Sequence, residues 1–166
     1  MKHISLIALA VALLPGLAMA ATSVGTGDAK AKIVTPVSIA QDTNGELNFG
    51  TMTSEAGNVT VTPAGARSST GQNLVTDSNT PSSGKLTVTG PANQQITVVL
   101  PTEATVSTSD NGGGSMTINT FTADKSGSQT IGAGGTLAIQ VGGTLGVAAD
   151  QTAGDYTGTY TITVNY

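Results

Sequence analysis

Three groups of residues in this chain are of types that could do chemistry. Asp110-Asn111-Gly112-Gly113-Gly114, with Asp150 and Asp155 around Ala153-Gly154, gather carboxylate and amide oxygens in glycine-rich corners, a donor set suited to a hard cation such as calcium. Glu46 and Glu55 are candidates for a paired acid and base, although nothing in their spacing holds them at the separation that glycoside hydrolysis needs. Arg67, the only arginine, follows Pro63-Ala64-Gly65-Ala66 and could meet an anionic ligand. Each has a plainer explanation: turns of this composition are commoner than metal sites, and a lone loop arginine usually satisfies nearby carbonyls. Asn58-Val59-Thr60 fits a glycosylation triplet, a pattern frequent by chance. The expectation is therefore no catalytic residue, no metal and no cofactor.

Composition narrows the chemistry further. The chain has no cysteine, which excludes a disulfide framework, a zinc-thiolate centre and a thiol nucleophile. Its one histidine is His3, inside a segment with the order of a secretory signal: Lys2, an apolar run from Ile4 to Leu17, then Ala18-Met19-Ala20. Loss of residues 1–20 leaves no imidazole for a triad or a metal. Six basic residues stand against ten acidic ones, a formal charge of −4, and Lys2 would leave with the leader. An acidic exported chain argues against nucleic acid as a partner. The apolar run is too short for a stable membrane span, so no membrane insertion is expected after cleavage. The predicted organisation is a signal peptide at 1–20, an N-terminal extension at 21–28 and a single domain at 29–166, in a protein that is not an enzyme.

The elements that would position these residues are strands. Alternating runs at Ala29 to Ile39, Glu46 to Met52, Asn58 to Thr62, Lys85 to Thr89, Gln95 to Leu100, Met116 to Thr122, Thr136 to Val141 and Asp155 to Tyr166 lie between glycine, proline and asparagine clusters. No segment has helical period, and the pattern predicts an all-β sandwich. Pro36 should place the first strand at a sheet margin, because proline lacks the ladder N–H. Gly65 to Gly84, with few large apolar residues, predicts a surface loop. Gly134-Gly135-Thr136-Leu137 and Gly142-Gly143-Thr144-Leu145 repeat without the aspartates of a calcium β-roll, so the glycine pairs are expected to bracket strands.

The final segment, YTGTYTITVNY, alternates Tyr156, Gly158, Tyr160, Ile162, Val164 and Tyr166 with threonines and Asn165. One face should be buried and the threonine face solvated. Three of the five aromatic residues lie there.

Gly154 precedes Tyr166 by twelve positions, and Lys32-Ile33-Val34-Thr35-Pro36-Val37-Ser38-Ile39 is followed by Leu47-Asn48-Phe49-Gly50-Thr51. Together with Leu137-Ala138-Ile139-Gln140-Val141, these segments resemble the subunits of bacterial chaperone–usher pili. Ile33-Val34-Thr35-Pro36, Leu47-Asn48-Phe49-Gly50, Pro63-Ala64-Gly65-Ala66-Arg67 and Ala153-Gly154-Asp155-Tyr156-Thr157-Gly158 are more similar still to a pilin-like group of secreted bacterial proteins known as domain of unknown function 4402. The resemblance implies an immunoglobulin-like Greek-key sandwich that lacks its last strand. It implies a groove beside Gly154, Tyr156, Gly158, Tyr160, Ile162, Val164 and Tyr166 that a strand from another subunit fills. It also implies a periplasmic chaperone, an outer-membrane usher and further copies as partners, with export to the periplasm and then to a cell-surface or extracellular fibre. Within Ala21 to Asp28 only Val24 is a sizeable apolar residue, so an adequate donor must run on through Gly25, Gly27, Ala29, Ala31 and Ile33, which share one face. The alternative is a monomeric secreted sandwich that binds a carbohydrate or another surface component.

Overall fold

The computed structural model describes residues 22–166. The predicted signal peptide lies outside the described residues. A short N-terminal unit ends at Lys32 and the main unit runs from Ile33 to Tyr166. Among the described residues no helix is long and apolar enough to cross a membrane.

The main unit is all-β. Its strands are β1 (Ser38–Gln41), β2 (Gly57–Val61), β3 (Arg67–Thr70), β4 (Gly84–Thr89), β5 (Gln95–Val99), β6 (Glu103–Thr108), β7 (Gly114–Ala123), β8 (Gly127–Thr130), β9 (Thr136–Val147), β10 (Thr157–Gly158) and β11 (Thr163–Asn165). All pairings are antiparallel. The larger sheet has the order β1-β4-β9-β7-β6-β10, with β2 and β3 added beside β9, and the smaller has the order β11-β5-β8. The two form a sandwich-like arrangement.

The long β9 organises this layout. Thr136 to Val141 pair with β4, Gly143 to Val147 pair with β2, and β7 occupies the other edge. Two strands thus follow one another along one edge, and they meet at Gly142. A Cβ there would collide with the Val61 carbonyl and lie 2.7 Å from the Thr62 carbonyl carbon, so the junction requires glycine. Gly142-Gly143 therefore lie inside one continuous strand, not between two as the repeat suggested. Opposite, β7 carries a bulge between Asn119 and Thr122, with Thr120 at φ 50, an uncommon conformation for a β-branched residue.

The alternation in β9 buries Ile139, Val141, Leu145 and Val147. Ile139 and Val141 join Val88, Ile96, Val98, Ile131 and Ile162 in a core under the smaller sheet. Leu145 and Val147 join Phe49, Val59, Val61 and Ile118 in a second core. Phe121 packs against both.

Several expectations are corrected. The first strand begins at Ser38 rather than Ala29, past the Pro36 that cannot donate to a ladder. Residues 22–37 carry no regular structure, and Val24 and Ile33 are 88% and 97% exposed. The terminal strand is split: β10 belongs to the larger sheet and β11 to the smaller, so the chain crosses between sheets at Thr159–Ile162. Its alternation persists only in part: Ile162 is buried and Thr157, Thr159, Thr161 and Thr163 are exposed, but Gly158 and Tyr166, expected on the buried face, are exposed as well.

Ile139 is fully buried in the first core. Ile139→Ala should lower unfolding stability by about 2–5 kcal/mol, read as a shift in urea midpoint at unchanged slope.

Candidate functional site

Between the segment Glu46–Ser54 and the segment Gln151–Tyr160 lies a groove of about 980 Å³. Leu86, Val106, Met116, Ile118, Leu145 and Val147 form its apolar floor. They come from β4, β6, β7 and β9; all but Leu86, which packs against the first core, belong to the second core or pack against it, so the groove opens mainly onto that core.

The first wall is extended because its outer edge is paired. Asn48 and Ser82 exchange two backbone bonds of 2.9 Å, and Met52 opposes Leu74 through Thr53 N–H to Asn73 O and Val75 N–H to Thr51 O. Around Met52 this is the non-hydrogen-bonded kind of pair, which turns the N–H and C=O of Met52 toward the groove. Neither bonds to any described residue. The segment expected as a free surface loop, Gly65 to Gly84, is thus a strap along this wall, with β3 at its start.

Arg67 pins the strap to the wall. Its Nη1 donates to the carbonyls of Phe49 at 3.1 Å and Thr51 at 3.2 Å, and its Nη2 donates to Val75 O at 3.1 Å. Gly50 has φ 71, and a side chain there would collide with the guanidinium. Asn48 Oδ1 accepts from Gly50 N–H at 2.8 Å. The Thr51 hydroxyl, the Asn79 N–H and the Arg67 charge together hold the exposed Asp77 carboxyl below its ordinary range. Arg67 therefore satisfies local carbonyls.

The second wall is held by two latches. The Tyr156 hydroxyl donates to Thr152 O at 2.7 Å and accepts from Gln151 Nε2 at 2.8 Å, while Gln151 also donates to Ser115 O. Asn111 Nδ2 donates to Ala153 O at 2.8 Å, and Asp155 N–H donates to Asp110 Oδ2 at 3.1 Å. The two glycine-rich corners thus meet and bind each other's polar groups. Gly154 allows this approach, because a Cβ there would lie 2.7 Å from the Asp110 Cβ. Among the described residues no group of three or more acidic or histidine side chains gathers as metal ligands would. Glu46 and Glu55 lie at opposite ends of the first wall, and Glu55 accepts from Thr53 Oγ1.

The walls run antiparallel. Ser54 O accepts from Asp150 N–H at 2.9 Å at one end. At the other end the Tyr160 hydroxyl stands over Gly84, where an added Cβ would collide with it and lie 3.5 Å from Leu47 Cβ. The Tyr160 ring packs on Phe121 with centroids 5.5 Å apart and planes tilted 36°. Burial raises the Tyr160 phenol above its ordinary value of 10.0.

Of the predicted interface residues, Gly154, Tyr156, Gly158 and Tyr160 line the groove. Ile162 is in the first core, Val164 packs against it, and Tyr166 is 58% exposed with its hydroxyl donating to Thr35 O. Gly25, Gly27, Ala29, Ala31 and Ile33 are exposed and unstructured. The opposite wall, Glu46–Ser54, was not among the predicted site residues. Its signal was Leu47-Asn48-Phe49-Gly50, where Leu47 and Phe49 alternate and glycine breaks the run.

Fold and site define a class: an antiparallel β-sandwich-like domain with an apolar-floored groove between two extended segments. The chain belongs to the family described as Domain of unknown function (DUF4402), whose model matches residues 37–166. No curated protein and no solved structure matches it.

Two outcomes follow from these contacts. Arg67→Ala should cost about 3 kcal/mol in denaturant unfolding, since it leaves carbonyls without a charged donor, and Arg67→Lys should restore less than half, for lack of the fork. Because the folded state holds the Tyr160 proton more tightly than the unfolded chain, stability should fall as pH rises above about 10. Tyr160→Phe should flatten that slope in stability measured against pH.

Proposed function

We propose that this protein is a non-enzymatic structural subunit of a bacterial surface fibre, and that its groove accepts the N-terminal segment of a second copy by strand addition. The observation that carries this is the groove itself: an aliphatic floor, two antiparallel extended walls and an unpaired Met52 backbone directed into it. That is what remains of a sandwich when one strand is absent, and an extended peptide supplies both the backbone partners and the alternate side chains.

The occupant is argued from the same chain. Gly25 to Ile33 and Glu46 to Ser54 are segments of equal length, and the donor segment is exposed with an apolar side chain at Ile33. An inserted strand would lie parallel to one wall and antiparallel to the other. The Tyr156 hydroxyl reaching back to the Thr152 carbonyl is a corner of the kind immunoglobulin-like sandwiches use, which supports that fold assignment and a Greek-key order. A groove floored by aliphatic side chains, with Tyr156 and Tyr160 half-buried, suits a peptide strand better than the flat aromatic platforms that bind sugars.

An open groove of this kind is an aggregation hazard before assembly. On this proposal the protein is exported, held in the periplasm by a chaperone that covers the groove, passed to an usher and built into a fibre with further subunits.

The test is polymerisation of the exported chain with and without residues 21–33. The intact chain should give detergent-resistant oligomers that collapse on boiling, and the shortened chain should remain monomeric. Ladders that persist after the deletion would overturn the proposal.

A further inference from the structure

The terminal segment is paired along one edge only. Thr157 and Gly158 pair with Ser107 and Val106, while Thr163, Val164 and Asn165 pair with Val99, Val98 and Thr97. Both ladders are antiparallel and follow the chain in one course between Thr97 and Ser107, so the same edge is engaged at both ends. Along the other edge no strand lies among the described residues, and no backbone bond outside those ladders involves Tyr156 to Tyr166. An unpaired edge is a template for another strand.

One contact brings a segment to the end of that edge. The Tyr166 hydroxyl donates to Thr35 O, which fixes the root of the exposed N-terminal segment beside the last residue of the chain. Thr35 and Tyr166 are 131 positions apart. The same offset, followed back along both segments, sets Ile33 against Val164, Ala31 against Ile162, Ala29 against Tyr160 and Gly25 against Tyr156. The apolar or small face of one segment then meets the inward set of the other. Asp28, Lys30 and Lys32 fall beside Thr159, Thr161 and Thr163, which are exposed. A slip of one residue would turn both lysines inward, so the alternation accepts this register and rejects that slip.

We propose that the chain caps itself before assembly: its own Gly25 to Thr35 zips onto the free edge of Tyr156 to Tyr166 as a parallel strand, from the Tyr166–Thr35 bond inward, and covers the groove until a second copy's segment replaces it. The inference rests on the strand-addition proposal above and adds a regulation of the same groove. The direction follows from the anchor, because a segment rooted at Tyr166 can reach Tyr156 only by running alongside the terminal segment in the same sense. The tether makes closure the first event, since a segment joined to its own groove is present at a millimolar effective concentration, far above that of other copies in dilute solution. A closed chain offers no open edge, and release of its segment exposes the groove and the donor together.

The test uses the exported chain, monomeric at about 1 µM, with two introduced cysteines at exposed positions and the rate of intrachain disulfide formation followed on non-reducing gels. Two matched pairs, Thr26→Cys with Thr157→Cys and Lys30→Cys with Thr161→Cys, are neighbours in the proposed register. Exchanging partners gives two mismatched pairs, Thr26→Cys with Thr161→Cys and Lys30→Cys with Thr157→Cys, which that register holds about 13 Å apart, beyond the reach of a disulfide. Matched pairs should close at least about tenfold faster than mismatched ones. Tyr166→Phe keeps the ring but loses the anchoring bond, and should slow the matched pairs about three- to tenfold. Equal rates for matched and mismatched pairs would overturn self-capping. Matched rates unchanged by Tyr166→Phe would overturn the anchoring role of Tyr166. The cysteine-free chain, assayed for oligomers with and without residues 21–33, judges the other reading separately. Segment-dependent oligomers with equal disulfide rates leave the fibre proposal standing and this inference refuted, whereas fast matched pairs in a chain that never oligomerises refute the fibre and leave self-capping standing.

Discussion

The constraint on which the rest of the molecule depends is an apolar floor with no strand over it. Leu86, Val106, Met116, Ile118, Leu145 and Val147 line the groove between the walls; Ile118, Leu145 and Val147 are already buried, while Leu86, Val106 and Met116 are only half-buried, and completing the burial of such a side chain is worth a part of roughly 1.5–3 kcal/mol. The polar devices around the groove address its consequence. Without pairing on its outer edge, the Glu46–Ser54 wall would have no reason to stay extended, and the strap and the Arg67 fork supply that pairing. The opposite wall has only the two residues of β10 in a ladder, and the Asp110–Asp155, Asn111–Ala153, Gln151–Ser115 and Tyr156–Thr152 bonds supply the rest of its support.

The same economy explains the glycines that matter. Gly142 lets two strands share an edge of β9, Gly154 lets one corner close on the other, and Gly84 admits the Tyr160 ring. None of these is explained by flexibility. Each is a place where a Cβ would meet backbone or a side chain already committed elsewhere, so a Gly→Ala change there displaces a neighbour instead of filling a space.

Much of this was legible in the sequence. The period-two run of Tyr156 to Tyr166 foretold the exposed threonines and the buried Ile162, but not the exposure of Gly158 and Tyr166, and the alternating runs between glycine, proline and asparagine clusters foretold an all-β domain. What the sequence concealed has definite causes. β3 (Arg-Ser-Ser-Thr) and β8 (Gly-Ser-Gln-Thr) carry no large apolar residue, so backbone pairing alone makes them strands and no hydrophobic period betrays them. The continuity of β9 through Gly142-Gly143 depends on β2 and β4 meeting there, a long-range fact with no local signature. The terminal strand divides between sheets because β6 and β5, its two partners, belong to different sheets. Half of the groove was visible as the terminal alternation, whereas the other half needed the strap from Gly65 to Gly84 to be seen as structure.

The absence of cysteine makes the central claim directly measurable by introduced disulfides. One preparation carries Met52→Cys in the groove wall and a second carries Ala31→Cys in the N-terminal segment, with Thr130→Cys on the smaller sheet as the control partner for the second. Mixed under oxidising conditions, the first pair should form a covalent heterodimer on non-reducing gels, well in excess of the control pair. Equal yields from the two pairs, or no cross-link through Met52→Cys, would contradict the claim that a second copy's N-terminal segment occupies the groove.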